Sequence, residues 1–283
     1  MQAPPVVRRR LAPVATPMSS PLRAGWQLAA SWSVTVVSCA LISLVTMVTG
    51  GVFTRRLAPW YLRTWGRTML RIAGVEVVVE GHAHLATDTM KVATFNHGSM
   101  LDAFIIASLM PRGGVGAIKI QVLWYPMVGL AAYLLGFVLI DRRHTARARR
   151  TMAHAAERMA QARLTVFIAP EGTRTTDGAL LPFKKGALHL ALATGAPIVP
   201  VIIEGAFALH PPGRVASRPG RVRVRVLPPR STRGLTEAAI GAETAALRAL
   251  YATELAAGAV RPRGRAARSA PGRSAGTSAR GPS

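Results

Sequence analysis

The spacing of apolar and polar positions changes character three times along the chain. From Trp26 to Phe53, through WQLAASWSVTVVSCALISLV, 28 residues pass without a charge. About 20 apolar residues reach across a bilayer, so this run predicts a transmembrane or deeply re-entrant helix. A cleaved signal sequence is the competing reading, since Arg8 to Arg10 and Arg23 precede the run; its apolar core would be only about 7–15 residues, shorter than this one. Next, in PWYLRTWGRTMLRIAG at 59 to 74, Arg63, Arg67 and Arg71 recur every fourth position. Leu62, Trp65, Met69 and Ile72 follow helical spacing on the other side. That division predicts an amphipathic helix in the plane of a membrane interface; the alternative is a helix packing its apolar face on a domain.

From Val75 the apolar runs shorten. VEVVVE (75–80), VATF (92–95), GFVLI (136–140), LTVFIA (164–169) and IVPVII (198–203) read as strands, and 144–163 and 183–194 as helices. RVRVRV at 221–226 alternates strictly, which leaves one face wet and predicts an edge strand or an open sheet face. Residues 235–258 form a last amphipathic helix. The fold class is therefore α/β: a mixed, largely buried sheet flanked by helices, preceded by an N-terminal membrane helix and an interfacial amphipathic helix. Four parts are expected: a disordered segment at 1–25, membrane-associated helices at 26–74, a catalytic domain at 75–258 and a disordered basic tail at 259–283.

Charge alters this picture less than its total of +24 implies. Residues 76–210 hold 13 basic and 9 acidic residues, a balance of +4, so most of the excess lies on the flanks. No aromatic RNA-binding motif or recognition-helix pattern accompanies it, so the expected partner is a phospholipid bilayer and not nucleic acid. Arg55, Arg56, Arg63, Arg67 and Arg71 follow the apolar run closely. They favour a cytoplasmic membrane with the catalytic side facing the cytoplasm. Cys39 is the only cysteine, which excludes an intrachain disulfide and a cysteine metal cluster.

Two stretches carry chemistry. In FNHGSMLDAF at 95–104, His97 and Asp102 stand five positions apart. On one straight helix that separation turns side chains ~140° from each other. They meet if the helix starts between them, with Ser99 as N-cap and Asp102 as the acid of a capping pair. A neutral imidazole held by a carboxylate removes a proton from a hydroxyl; with Ser99 occupied as a cap, that hydroxyl belongs to a substrate. In APEGTR at 169–174, a turn after a buried run offers backbone N–H groups, and Arg174 offers a fork of donors suited to phosphate. Glu171 pairing with Arg174 is the plainer alternative. FKKG follows at 183–186, and three of the four lysines (Lys119, Lys184 and Lys185) fall beside these stretches. His82 and His84 read as turn residues, and His144, His154 and His189 as surface or packing residues; no metal site is expected.

FNHGSMLD, GFVLIDR (136–142), IAPEGTR (168–174) and IVPV (198–201) together resemble the four ordered motifs of the glycerolipid acyltransferase family, most closely its 1-acylglycerol-3-phosphate branch. KIQVLWYPMVG at 119–129 resembles the family's segment between its first two motifs, and the similarity covers about 70–230. The resemblance implies transfer of a fatty acyl group from acyl-CoA or acyl carrier protein to the free hydroxyl of lysophosphatidic acid, giving phosphatidic acid for phospholipid synthesis. No bound cofactor is implied, since the thioester is a co-substrate. The resemblance makes His97 the general base and Asp102 its partner. It places Arg142, Glu171, Gly172, Thr173 and Arg174 at the acceptor, Lys119 as a further phosphate contact, and Pro200 as a residue shaping the pocket. Gly98 and Ala169 stand where the family usually carries larger residues, which bears on acceptor choice. Alternatives are another lyso-lipid acceptor, such as a lyso-ornithine lipid or a lysophospholipid with a head group, and a non-catalytic lipid-binding homologue.

Overall fold

A computed structural model describes residues 21–52, 54–86, 89–141 and 143–260. The expectations for residues 1–20, for the tail from 261 and for Arg142 lie outside the described residues.

The uncharged run folds as α1 (Pro21–Val48), five residues longer at its start than the apolar pattern indicates. Among the described residues it is the one helix long and apolar enough to cross a membrane. Most of its polar residues face the protein, Ser33 being exposed: Gln27, Ser43 and Thr46 are buried, Thr35 accepts the indole N–H of Trp65, and Ser38 and Cys39 lie against the Tyr61 hydroxyl. Its large apolar residues, among them Trp26, Trp32, Val37, Leu41 and Leu44, point outward. This helix inverts the polarity of a water-exposed one, where the apolar stripe faces the core.

Helix α2 (Thr54–Ala73) differs from the interfacial expectation. Its apolar face is taken up by the protein: Leu62, Met69, Leu70 and Ala73 are buried, and Trp65 meets Phe104 edge-on at 5.2 Å between ring centres. The partner is α4 (Leu101–Ser108). Gly66 permits the contact, because a Cβ there would lie 2.6 Å from the Phe104 carbonyl oxygen and 2.7 Å from the Ser108 nitrogen. Arg63 donates to the Met110 carbonyl at 2.9 Å, just past the end of α4, which ties that arginine to the protein as well.

Seven strands form one sheet in the order β1-β7-β6-β2-β5-β3-β4. They are β1 (Val75–Glu80), β2 (Lys91–Phe95), β3 (Gly114–Lys119), β4 (Val138–Ile140), β5 (Thr165–Ile168), β6 (Ile198–Glu204) and β7 (Gly220–Val226). Strands β6, β2, β5, β3 and β4 run parallel, β7 pairs antiparallel to β6, and β1 runs parallel to β7. Short helices α3 (Ala83–Ala86) and α8 (Ala206–Leu209) follow β1 and β6. Strand β3 and helix α5 (Val128–Leu134) were not predicted by the pattern.

Two apolar cores sandwich the sheet. Ala93, Phe95, Phe167 and Val199 belong to the core shared with α1, α2, α4 and α5. Val92, Val166, Ile198 and Ile202 belong to the opposite core, with α6 (Thr145–Ala162), α7 (Gly186–Thr194) and α9 (Ile240–Val260). Strand β7 is internal and not an edge, so the open face explains its alternation. Its valines are buried; on the other face Arg221 pairs with Glu76, Arg223 with Glu80, and Arg225 with Glu204 and Glu254.

Candidate active site

Strand β2 delivers the first chemical group. Side chains alternate along a strand, so Ala93 and Phe95 set the face on which His97 emerges, toward α4. The strand ends at Phe95, and the Asn96 amide continues the ladder in place of backbone: Nδ2 donates to the Ile203 carbonyl at 2.9 Å and Oδ1 accepts the Ile203 N–H at 2.8 Å. One rung below, the Tyr251 hydroxyl of α9 sits between the strands. It donates to the Thr94 carbonyl at 2.7 Å and accepts the Val201 N–H at 3.2 Å. The place where the chain leaves the sheet is thereby fixed on both sides.

The chain then turns into α4, and the dyad forms across that turn. His97 Nδ1 lies 3.0 Å from Asp102 Oδ2. The same oxygen accepts the N–H groups of Gly98 and Ser99, each at 2.8 Å. Asp102 is 1% exposed, so these contacts are desolvated and charge-assisted. With Nδ1–H donated to Asp102, Nε2 carries the lone pair. The helix begins one residue later than the capping pattern indicates, at Leu101. Met100 takes the N-cap position without a side-chain cap bond; Ser99, one residue earlier, accepts the Leu101 N–H at 3.1 Å and donates its own hydroxyl to the His210 carbonyl at 2.7 Å.

Glu171 supports this loop from β5. Its Oε1 accepts the His97 N–H at 2.7 Å and its Oε2 the Leu181 N–H at 2.9 Å, and it is 3% exposed. Burial pushes its carboxyl above the ordinary value, with the two backbone donors pulling the other way. Both oxygens thus accept backbone N–H groups, and Glu171 ties the backbone of His97 to that of Leu181. No ion pair joins it to Arg174 among the described residues.

The turn after Glu171 gathers cations. Gly172 has φ +72°, and a Cβ there would lie 3.0 Å from Lys184 Nζ, so the lysine lies across the turn. Thr173 is exposed and Arg174 half-buried, without an acidic partner among the described residues. The Thr175 N–H donates to the His97 carbonyl at 3.1 Å, joining this turn to the dyad. Lys185 points away, toward the start of α9. His210, which the sequence reading did not single out, also lies here. Its pKa is lowered by burial first and then by the charges of Arg174 and Arg214.

Lys119 ends β3, the parallel neighbour of β5, so it stands exposed at the same C-terminal edge of the sheet, with no hydrogen bond or ion pair to this cluster among the described residues. Pro200 lies buried inside β6, in register with Thr94, three residues before His97. Near Arg142, Asp141 accepts from the Arg143 N–H and from Arg147, closing the turn after β4. The cluster therefore consists of a dyad, a carboxylate that braces it and a cationic turn, all at the C-terminal ends of β2 and β5. That is where open parallel sheets place their sites.

Residues 76–204 match the acyltransferase family. The chain is 37% identical over 204 residues to the 1-acyl-sn-glycerol-3-phosphate acyltransferase of Limnanthes douglasii, covering 69% of this chain and 72% of that one. It is 38% identical over 164 residues to the mouse protein of that name, alpha form, covering 58% of each. Among solved structures it resembles the 1-acyl-sn-glycerophosphate (LPA) acyltransferase PlsC of Thermotoga maritima, with TM-score 0.63 and 26% identity, over 82% of this chain and 98% of that one.

Proposed function

Since the chain belongs to the 1-acyl-sn-glycerol-3-phosphate acyltransferase family and is an O-acyltransferase, we propose that it moves a fatty acyl group from acyl-CoA or acyl carrier protein to the free hydroxyl of lysophosphatidic acid, giving phosphatidic acid for phospholipid synthesis. The observation that carries this reading is the dyad itself: His97 Nδ1 held 3.0 Å from a buried Asp102, beside an arginine without an acidic partner among the described residues. His97 Nε2 takes the acceptor hydroxyl proton as that oxygen attacks the thioester carbonyl. The tetrahedral intermediate collapses with cleavage of the carbon–sulfur bond, and the imidazolium returns its proton to the departing thiolate. Asp102 stabilises the imidazolium and fixes its tautomer.

The first turn cannot readily serve the oxyanion, because the N–H groups of His97, Gly98, Ser99 and Leu101 are already donated to side chains. The backbone N–H groups of Thr173 and Arg174 have no acceptor among the described residues and are the better candidates. Arg174 and Lys184 hold the acceptor phosphate, which makes the attack effectively unimolecular. The outward apolar face of α1 meets lipid, where both the acceptor and the product reside. His97→Ala, assayed with thioester donors and lysophosphatidic acid, loses turnover while the chain stays folded; near-native activity overturns the assignment.

A further inference from the structure

A second apolar surface lies outside α1. From Ile120 to Ile140 no residue carries a charge. The run follows β3 as a short 3₁₀ turn, Ile120–Trp124, and then becomes α5. It does not bury its largest side chains: Trp124 is 76% exposed, Tyr133 66% and Tyr125 48%, with Leu123, Met127 and Leu130 also exposed. Leu130 and Tyr133, three positions apart, are neighbours on the surface of α5, and Met127 stands exposed at its N-cap. The opposite side, with Ala131 and Leu135, joins the core beside α1. Met127 itself holds φ +62°, which a side chain other than glycine resists, at the turn that begins α5.

This surface continues the outward face of α1: the rings of Trp32 and Tyr125 are 6.4 Å apart. Tryptophan and tyrosine with aliphatic neighbours and no charge match the boundary between headgroups and acyl chains. We propose that the 120–133 segment is a second lipid-inserting element, which docks in the bilayer beside α1 and fixes how deeply the C-terminal ends of the strands, with the dyad, approach the membrane. The proposal rests on the reading that α1 meets lipid, and it adds a surface that reading does not require.

The test uses the full chain reconstituted in phosphatidylcholine–phosphatidylglycerol vesicles, with an environment-sensitive fluorophore attached at Tyr133→Cys. Parallel samples carry it at Leu44→Cys on α1, or at Glu157→Cys on α6 across the sheet. Cys39 is buried and does not compete for the label. The expected result is a blue-shifted emission at position 133, quenched by brominated acyl chains as at position 44, with position 157 unquenched. Quenching at 44 but not at 133 overturns the proposal and leaves the α1 reading intact; quenching at neither removes both. A blue shift at 133 without lipid quenching, growing with protein concentration, identifies a second copy of the chain as the occupant and also overturns it. In a functional arm, Trp124→Ser combined with Tyr133→Ser lowers acyl transfer to vesicle-borne acceptor by roughly tenfold or more, given the apolar surface withdrawn from lipid. The rate in excess detergent stays within about twofold. An unchanged vesicle rate contradicts the proposal.

Discussion

Replacing Glu171 with glutamine separates a brace from a substrate ligand. In the native protein one carboxylate accepts two backbone N–H groups, from His97 at 2.7 Å and Leu181 at 2.9 Å, in a site that is 3% exposed. Glutamine offers one oxygen, and its amide nitrogen then faces the second N–H donor to donor. A hydrogen bond to a charged group contributes about 1.5–3 kcal/mol, and a buried donor without a partner costs about 1–3 kcal/mol. Part of this is offset because the amide carries no charge to desolvate. A net loss of roughly 1–3 kcal/mol is expected, read by denaturant unfolding in detergent. If Glu171 positions His97, kcat falls by about tenfold or more with little change in the acceptor KM, since a displaced base weakens the transition state and not substrate binding. Full kcat with a raised KM would falsify the brace and return Glu171 to the acceptor.

The same variant has a pH signature. Burial holds the Glu171 carboxyl above its ordinary value of 4.5, so the folded chain binds a proton the unfolded chain has released. Its stabilising contribution is complete below about 4.5 and is lost as pH rises through the raised value. Glu171→Gln removes that decline, and unfolding free energies measured across the interval show it as a flatter profile.

Other expectations follow from single contacts. Arg174→Ala raises the KM for lysophosphatidic acid by about tenfold or more, from loss of charge-assisted bonds to phosphate, and spares an acceptor lacking the phosphate. His210, depressed by burial and then by the fields of Arg174 and Arg214, titrates below its ordinary 6.5. Its contribution to stability is present above 6.5 and lost as pH falls through the depressed value, and a phosphate placed on Arg174 moves its NMR titration upward. Gly66→Val drives side-chain atoms into the backbone of α4, where a Cβ would already lie 2.6 Å from the Phe104 carbonyl oxygen. Overpacking of about 1–3 kcal/mol lowers Tm by about 5 °C, seen by scanning calorimetry.

What could be read in one dimension depended on how local its cause was. The buried strands β2, β5 and β6 announce themselves as continuous apolar runs, and the dyad was legible because a helix start confines His97 and Asp102 to one short segment. Strand β3 was not, because GVGAIK has two glycines and little β-branched density. The place of β7 inside the sheet depends on the acids of β1, β6 and α9 that meet its arginines, and alternation alone does not reveal them. For α2, periodicity found the apolar face but not its partner; Gly66 was the available signal, since a glycine in mid-helix permits close approach. The brace at Glu171 depends on which backbone amides fold over it, and no local pattern encodes that. The His210 contact with Ser99 spans 111 residues and runs through a carbonyl, which every residue possesses.

The Tyr251 hydroxyl in the rung between Thr94 and Val201 also bears on when the enzyme comes alive. The residue that completes the end of β2 is made 157 residues after Thr94, a lag of roughly 8–30 s at typical rates of synthesis. All four motifs leave the ribosome before it does. A nascent chain halted ahead of Tyr251 thus carries the full reactive inventory on a strand end that lacks its bridge between Thr94 and Val201.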